Sequence, residues 1–223
     1  MIIQRLYALW LPIILITIQL VLEFSLPQNI LASLHSESGP HEILQFLIIT
    51  AAFVYAIRIL MLKPWSISIF LASWVGVAAL GALYISGEEI SWGQHILQWG
   101  TPDYWQQLND QGETNLHNTS SWLDQKPRLV LEIGMLIGGL IIPLLLKFKP
   151  DIVPQKFNII YPTAAFIPMT VIALFINIAD KVAEIWDISI FERASEVEEI
   201  FLFYFVLVYL IMLYQRIRVR LAP

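Results

Sequence analysis

Six stretches of membrane-spanning length run through this chain of 223 residues, and they constrain its fold more than anything else in it. A bilayer core about 30 Å thick is crossed by about 20 apolar residues in a helix. The stretches are Tyr7–Phe24, Ile43–Leu62, Trp65–Ser86, Leu129–Leu146, Ile159–Ala179 and Ile200–Tyr214. The last is short, and its helix is expected to begin earlier, near Ser195, with Glu196, Glu198 and Glu199 in its first turns. Composition agrees: 57% of residues are hydrophobic, 14% are charged and the mean hydropathy is +0.68. A soluble domain of this size cannot hide so much apolar surface. The expectation is an all-α polytopic membrane protein, a single integral membrane domain over residues 1–223. Its one long polar insert, residues 87–127, carries an interfacial amphipathic helix. The first span is read as retained and not as a cleaved signal peptide, because no small-residue cleavage site follows it.

Charge excludes some functions and orients others. A net charge of −5 with no basic stripe leaves nothing to hold nucleic acid. The absence of cysteine removes disulfides, thiolate metal sites and Cys nucleophiles. With six spans, Arg5, Arg58, Lys63, Lys147, Lys149, Lys156, Arg216, Arg218 and Arg220 fall on one side. Only Lys126, Arg128, Lys181 and Arg193 fall on the other. Positive charge is retained in the cytoplasm, so both termini are expected there. Every acid but Asp151 lies on the outer side, as do all four histidines, His35, His41, His95 and His117. Polar chemistry is therefore expected to face outward.

The densest string is Gly87-Glu88-Glu89-Ile90-Ser91-Trp92-Gly93-Gln94-His95, running directly on from the third span. At helical spacing Glu88, Ser91, Trp92, His95 and Trp99 share a face, with Glu89 to its side. Adjacent acids beside apolar surface repel each other and are desolvated, which suits one of them to proton transfer. The plainer alternative is an interfacial helix with tryptophan anchors and solvated acids. A second string, Glu113-Thr114-Asn115-Leu116-His117-Asn118, sets Glu113 and His117 four apart, a spacing that can hold one divalent metal ion. Its alternative is a polar turn capped by its own side chains. Asn118-Thr119-Ser120 fits a glycosylation sequon. Glu132 is expected to pair with Arg128 on the fourth span, and Glu198 and Glu199 lie deepest before the sixth. Pro162, Pro168 and Asn177 interrupt the apolar run of the fifth span, read either as a kinked helix beside a polar cavity or as ordinary proline tolerance in a membrane helix. Gly134, Gly138 and Gly139 are expected to form a close-packing face on the fourth. Trp92, Trp99, Trp105, Trp122 and Trp186 form an outer aromatic belt.

The pairing of Gly-Glu-Glu-Ile-Ser-Trp-Gly-Gln (87–94) with Glu-Thr-Asn-Leu-His-Asn (113–118) resembles a pattern in multi-pass membrane proteins of bacteria. The resemblance covers the insert and the third span, implies a bacterial inner-membrane protein, and carries no activity with it. Glu88-Glu89 is also similar to the Glu-Glu-x-x-x-Arg motif of CAAX-protease-like intramembrane proteins. Gly93 stands where that motif has Arg, and the later helices lack that family's Phe-x-x-x-His.

Three functions are compatible with these residues. One is a membrane enzyme acting on a lipid or lipid-linked substrate at the outer leaflet, with Glu88, Glu89, His95 and His117 as catalytic candidates. Glu89, Glu113 and His117 are the candidate metal ligands, and Trp92, Gln94, Asn115, Asn118, Glu132 and Glu199 complete the pocket. Another is a non-catalytic subunit or sensor that docks a membrane-protein partner through its acidic outer face. The third, an ion-coupled transporter, fits less well, because the middles of the spans carry almost no charge. Of the two adjacent acids, Glu89 is expected to face the bundle.

Overall fold

The computed structural model describes residues 6–36, 39–108, 112–116, 119–186 and 190–222, and every regular element among them is helical. Among the described residues six helices are long and apolar enough to cross a membrane. The first, α1 (Leu6–Ser25), opens with a wide π turn and stops before Pro27, whose ring cannot continue the ladder. A short helix, α2 (Gln28–Leu34), follows. The next span, α3 (Pro40–Met61), starts directly after Gly39. A Cβ at Gly39 would stand 2.5 Å from the carbonyl oxygen of Ser36, so only glycine permits this turn. Lys63 takes a left-handed conformation, Pro64–Ser66 makes a 3₁₀ turn, and α4 runs Ile69–Glu89. Within the insert lie α5 (Gln94–Leu97) and α6 (Asp103–Leu108). Helix α7 (121–148) passes through a π turn at Leu136–Ile141, α8 is Ile167–Trp186, and α9 is Ala194–Leu221.

Helix α9 is the axis of the bundle. Its most apolar window is 72% buried, against 17–33% for the other five spans. It packs most heavily on α3 and then on α8, while α4 packs on α3. The core is built from Phe201, Leu202, Leu210 and Leu213 of α9, Ile49, Ala52 and Ile59 of α3, and Met169, Ala173 and Ile176 of α8. Large apolar side chains on the other faces, such as Ile69, Val77 and Leu80 of α4, are exposed. In a bilayer those faces meet lipid at no hydrophobic cost, so helix association rests on packing and polar contacts. Gly139 supplies such packing: a Cβ there would overlap the side chains of Thr170 and Phe205. Gly134 has open space around it, so the close-packing face is narrower than the sequence pattern suggested.

Several element boundaries differ from those read in the sequence. The helix of the fourth span begins at Ser121, inside the expected insert, and takes Pro127 into its run instead of starting after it at Leu129. The fifth span begins at Ala164–Phe166 and Ile167, not at Ile159, and it extends to Trp186. Pro162 precedes the helix and Pro168 is its second residue, where a proline removes no intrahelical bond. The non-helical carbonyls before it are satisfied by Arg216 of α9, whose guanidinium donates to Ile159 (3.0 Å) and Tyr161 (2.5 Å). The stretch Glu88–Trp99 is likewise not one continuous helix. After Glu89 the chain turns through Ser91 (φ 45°), Trp92 (φ 55°) and Gly93 (φ 104°), all left-handed, and α5 starts on a new axis.

Candidate functional site

The left-handed turn after α4 separates the two adjacent glutamates. Trp92 folds back so that its indole covers Gly87, where a Cβ would stand 2.8 Å from the ring. Its Nε1–H donates to Glu88 Oε1 at 2.6 Å, and the backbone N–H of Leu116 donates to Glu88 Oε2 at 2.7 Å. Glu88 is thus turned to the insert and buried. Around it the two sequence strings, 87–95 and 113–116, dock on each other. Ser91 donates to Glu113 Oε2 (2.7 Å), His95 Nε2 lies 2.6 Å from Glu113 Oε1 and 3.1 Å from Ser91 Oγ, and Asn115 donates to Ser91 Oγ (3.0 Å). Gln94 Oε1 accepts from both the backbone N–H (2.7 Å) and hydroxyl (2.9 Å) of Thr114, while its Nε2 donates to Thr101 (2.8 Å).

Ser91, His95 and Glu113 have the residue types of a nucleophilic triad but not its geometry. In a triad the carboxylate holds Nδ1 while Nε2 faces the serine. Here Glu113 and Ser91 both meet Nε2, the serine proton is given to Glu113, and Ser91 is fully buried. The arrangement fastens the insert. Each bond to the Glu113 carboxylate is worth about 1.5–3 kcal/mol.

Glu89 points the other way. The charges acting on it are, in order, those of Glu199, Glu196, Glu42 and Glu88, so carboxylates from α3, α4 and α9 converge at this end of the bundle. Gln45 of α3, fully buried, ties the group together: its Nε2 donates to the carbonyl of Glu196 (2.9 Å) and to the carboxylates of Glu196 (3.2 Å) and Glu199 (3.5 Å). Arg128 of α7 lies 3.4 Å from Glu132 and 3.8 Å from Glu199, and Arg193 lies 3.9 Å from Glu196. Behind them Asn177 of α8 donates to both oxygens of the buried Glu198 at 3.2 Å.

The structure therefore sorts the sequence candidates into two groups. Glu88, Trp92, Gln94, His95, Glu113 and Asn115 belong to the docked insert, whereas Glu89, Glu132 and Glu199 belong to the acidic group between helices. His117 and Asn118 lie outside the described residues. Among the described residues no three His, Asp or Glu side chains are placed to hold a metal ion. Glu196 is read in the sequence as one of the acids opening the last helix, but Gln45 and Glu42 do not stand out there. Gln45 lies in an uninterrupted apolar span, and its only signal is a single amide among Ile43, Leu44, Phe46 and Leu47.

The class defined by these helices is a multi-pass helical membrane protein. Compared with protein-family models, with curated proteins and with solved structures, the chain finds no match.

Proposed function

We propose that this chain is a membrane enzyme acting on a lipid or lipid-linked substrate at the outer leaflet, with Glu89 as its proton-transferring group and both termini in the cytoplasm. One observation carries the reading. Glu89 leaves the insert to its neighbour and turns to where Glu42, Glu196 and Glu199 converge from two other helices. Acids brought together at a helix end are stable only with positive charge or shared protons among them, and such groups mark polar sites in membrane proteins. Arg128 supports the same end from α7, next to Glu132.

The test compares lipid extracts of cells lacking the chain with cells carrying wild type, Glu89→Gln or Glu88→Gln. A lipid or lipid-linked species that changes without the chain is expected to return to normal with wild type and not with Glu89→Gln. Glu88→Gln is expected to be milder. Unchanged extracts, together with full function of folded Glu89→Gln, would favour the second reading, a docking subunit. That reading draws on the closed hydrogen bonding of the buried Ser91 and Glu113 with His95, which fastens the insert to the end of α4 without leaving these groups open to a substrate.

A further inference from the structure

A second buried polar group joins α1, α2 and α3 at the same end of the bundle. His41 Nδ1 lies 2.9 Å from the carbonyl oxygen of Leu34, and its Nε2 lies 2.9 Å from Gln19 Oε1. Gln19 Nε2 in turn lies 2.8 Å from Glu23 Oε1. Glu23 Oε2 accepts the backbone N–H of Glu192 at 3.2 Å. Gln19, His35 and His41 are all buried. The ring of His35 stacks on that of His41 with centroids 4.1 Å apart. Among the described residues neither nitrogen of His35 has a hydrogen-bond partner, and its Nε2 stays 3.6 Å from Glu23.

The directions of these bonds count the protons. A carbonyl oxygen only accepts, so His41 Nδ1 carries hydrogen. If the Gln19 oxygen faces His41, Nε2 must also donate; His41 is then an imidazolium and Glu23 a carboxylate. If the amide is turned over, its NH₂ donates to a neutral His41 and its oxygen faces Glu23, which must then carry a proton. Either way the chain of contacts holds one proton more than a neutral imidazole and a carboxylate. Without that proton one link must break, because two acceptors would meet, either Nε2 against the Gln19 oxygen or the Gln19 oxygen against Glu23.

We propose that His41, Gln19 and Glu23 form a proton-binding site that clamps α1 to α3 when loaded and releases them when the proton leaves. The charged and titratable groups that the contacts bring to it are Glu23 on α1, His35 after α2, Glu192 and Arg193 before α9, and, through Arg193, Glu196 on α9; α8 also packs on α1. His35 does not take the proton. Burial first, then the charges of His41 and Arg193, push its pKa down to about 4. The clamp also reaches the acidic group. Arg193 donates to the His35 carbonyl at 2.8 Å and faces Glu196, which Gln45 holds from one turn beyond His41 on α3. Proton loading at His41 thus positions the helix that carries Gln45, independently of what Glu89 does.

The experiment follows imidazole ¹⁵N and glutamate carboxyl ¹³C signals of the full chain in lipid nanodiscs, between about pH 5 and 8. His41→Gln and Glu23→Gln variants assign the signals. An imidazolium at His41 or a carboxylic acid at Glu23 is expected, disappearing in one step as pH rises, with a fall in Tm at the same pH. In Glu23→Gln the new amide donates to Gln19 and Gln19 donates to neutral His41, so the contacts close with no added proton and the step in Tm is expected to vanish. A neutral His41 beside an ionised Glu23 with no change of Tm across the range would overturn the site. The same Tm step in wild type and Glu23→Gln would also overturn it. The wild-type spectra decide the question even if the variant does not fold.

Discussion

Individual residues at the end of α4 decide where two adjacent carboxylates go. Ser91 and Trp92 accept a left-handed backbone, which costs about 1–2 kcal/mol each for residues with a Cβ. The turn is offset by the bonds it permits, Trp92 to Glu88 and Ser91 to Glu113. Glu113→Gln keeps the shape of that carboxylate but replaces one acceptor oxygen by a donor, among donors from Ser91, Asn115 and His95. It is expected to lose about 1.5–3 kcal/mol of docking, read as faster proteolysis of the insert with all six spans still in the membrane. Equal protease resistance would exclude the fastening role. His35 makes a separate prediction. Its folded pKa of about 4 lies below the ordinary 6.5, so in acid the unfolded chain takes up a proton that the folded chain refuses. Its contribution is fully present above about pH 6.5 and is lost as pH falls toward 4. His35→Phe keeps the stack on His41 without titrating, and should flatten the decline of Tm over that range. An unchanged decline would show that another group causes it.

Among the elements, the π turn of α7 shows how a glycine pattern acts only where a partner helix meets it. Gly139 leaves no room for a Cβ against Thr170 and Phe205, whereas Gly134 faces open space. Gly139→Ala is expected to cost about 1–3 kcal/mol by overpacking. Gly134→Ala should be neutral or slightly stabilising, since alanine is the better helix former. Thermal unfolding of the two variants in one detergent checks the contrast, and equal losses would contradict the packing described. The boundaries of α4 and α8 belong to this scale too. Helical periodicity extends the third span into Glu88–Trp99 and the fifth back to Ile159. Neither pattern contains the competing partners, which are Glu113 for the first and Arg216 for the second.

For the whole molecule, the proposed orientation puts the insert and the segment between α8 and α9 outside, and Asp151 inside. The chain has no native cysteine, so single cysteines report without background. Cysteines at Asp110 and Asp187 should react with an impermeant thiol reagent added to intact cells, and one at Asp151 should not. Labelling of Asp151 alone would reverse the orientation.

Hydrophobicity along the chain was enough to read six spans, the polar insert and the early start of the last helix. Burying some twenty residues in hydrocarbon depends on their transfer energy and not on their neighbours. Local spacing also showed that Glu88 and Glu89 must point to different sides, because adjacent helical residues diverge by about 100°. The partner each acid would meet was not legible. That Glu88 belongs to Trp92 and Leu116, and Glu89 to Glu199, Glu196 and Glu42, follows from how α9 threads the bundle and how residues 113–116 return to the end of α4. Gln45 and Gln19 were hidden for the same reason. A single amide in an apolar run has no periodic signature, and only the packed helices show which charges it joins.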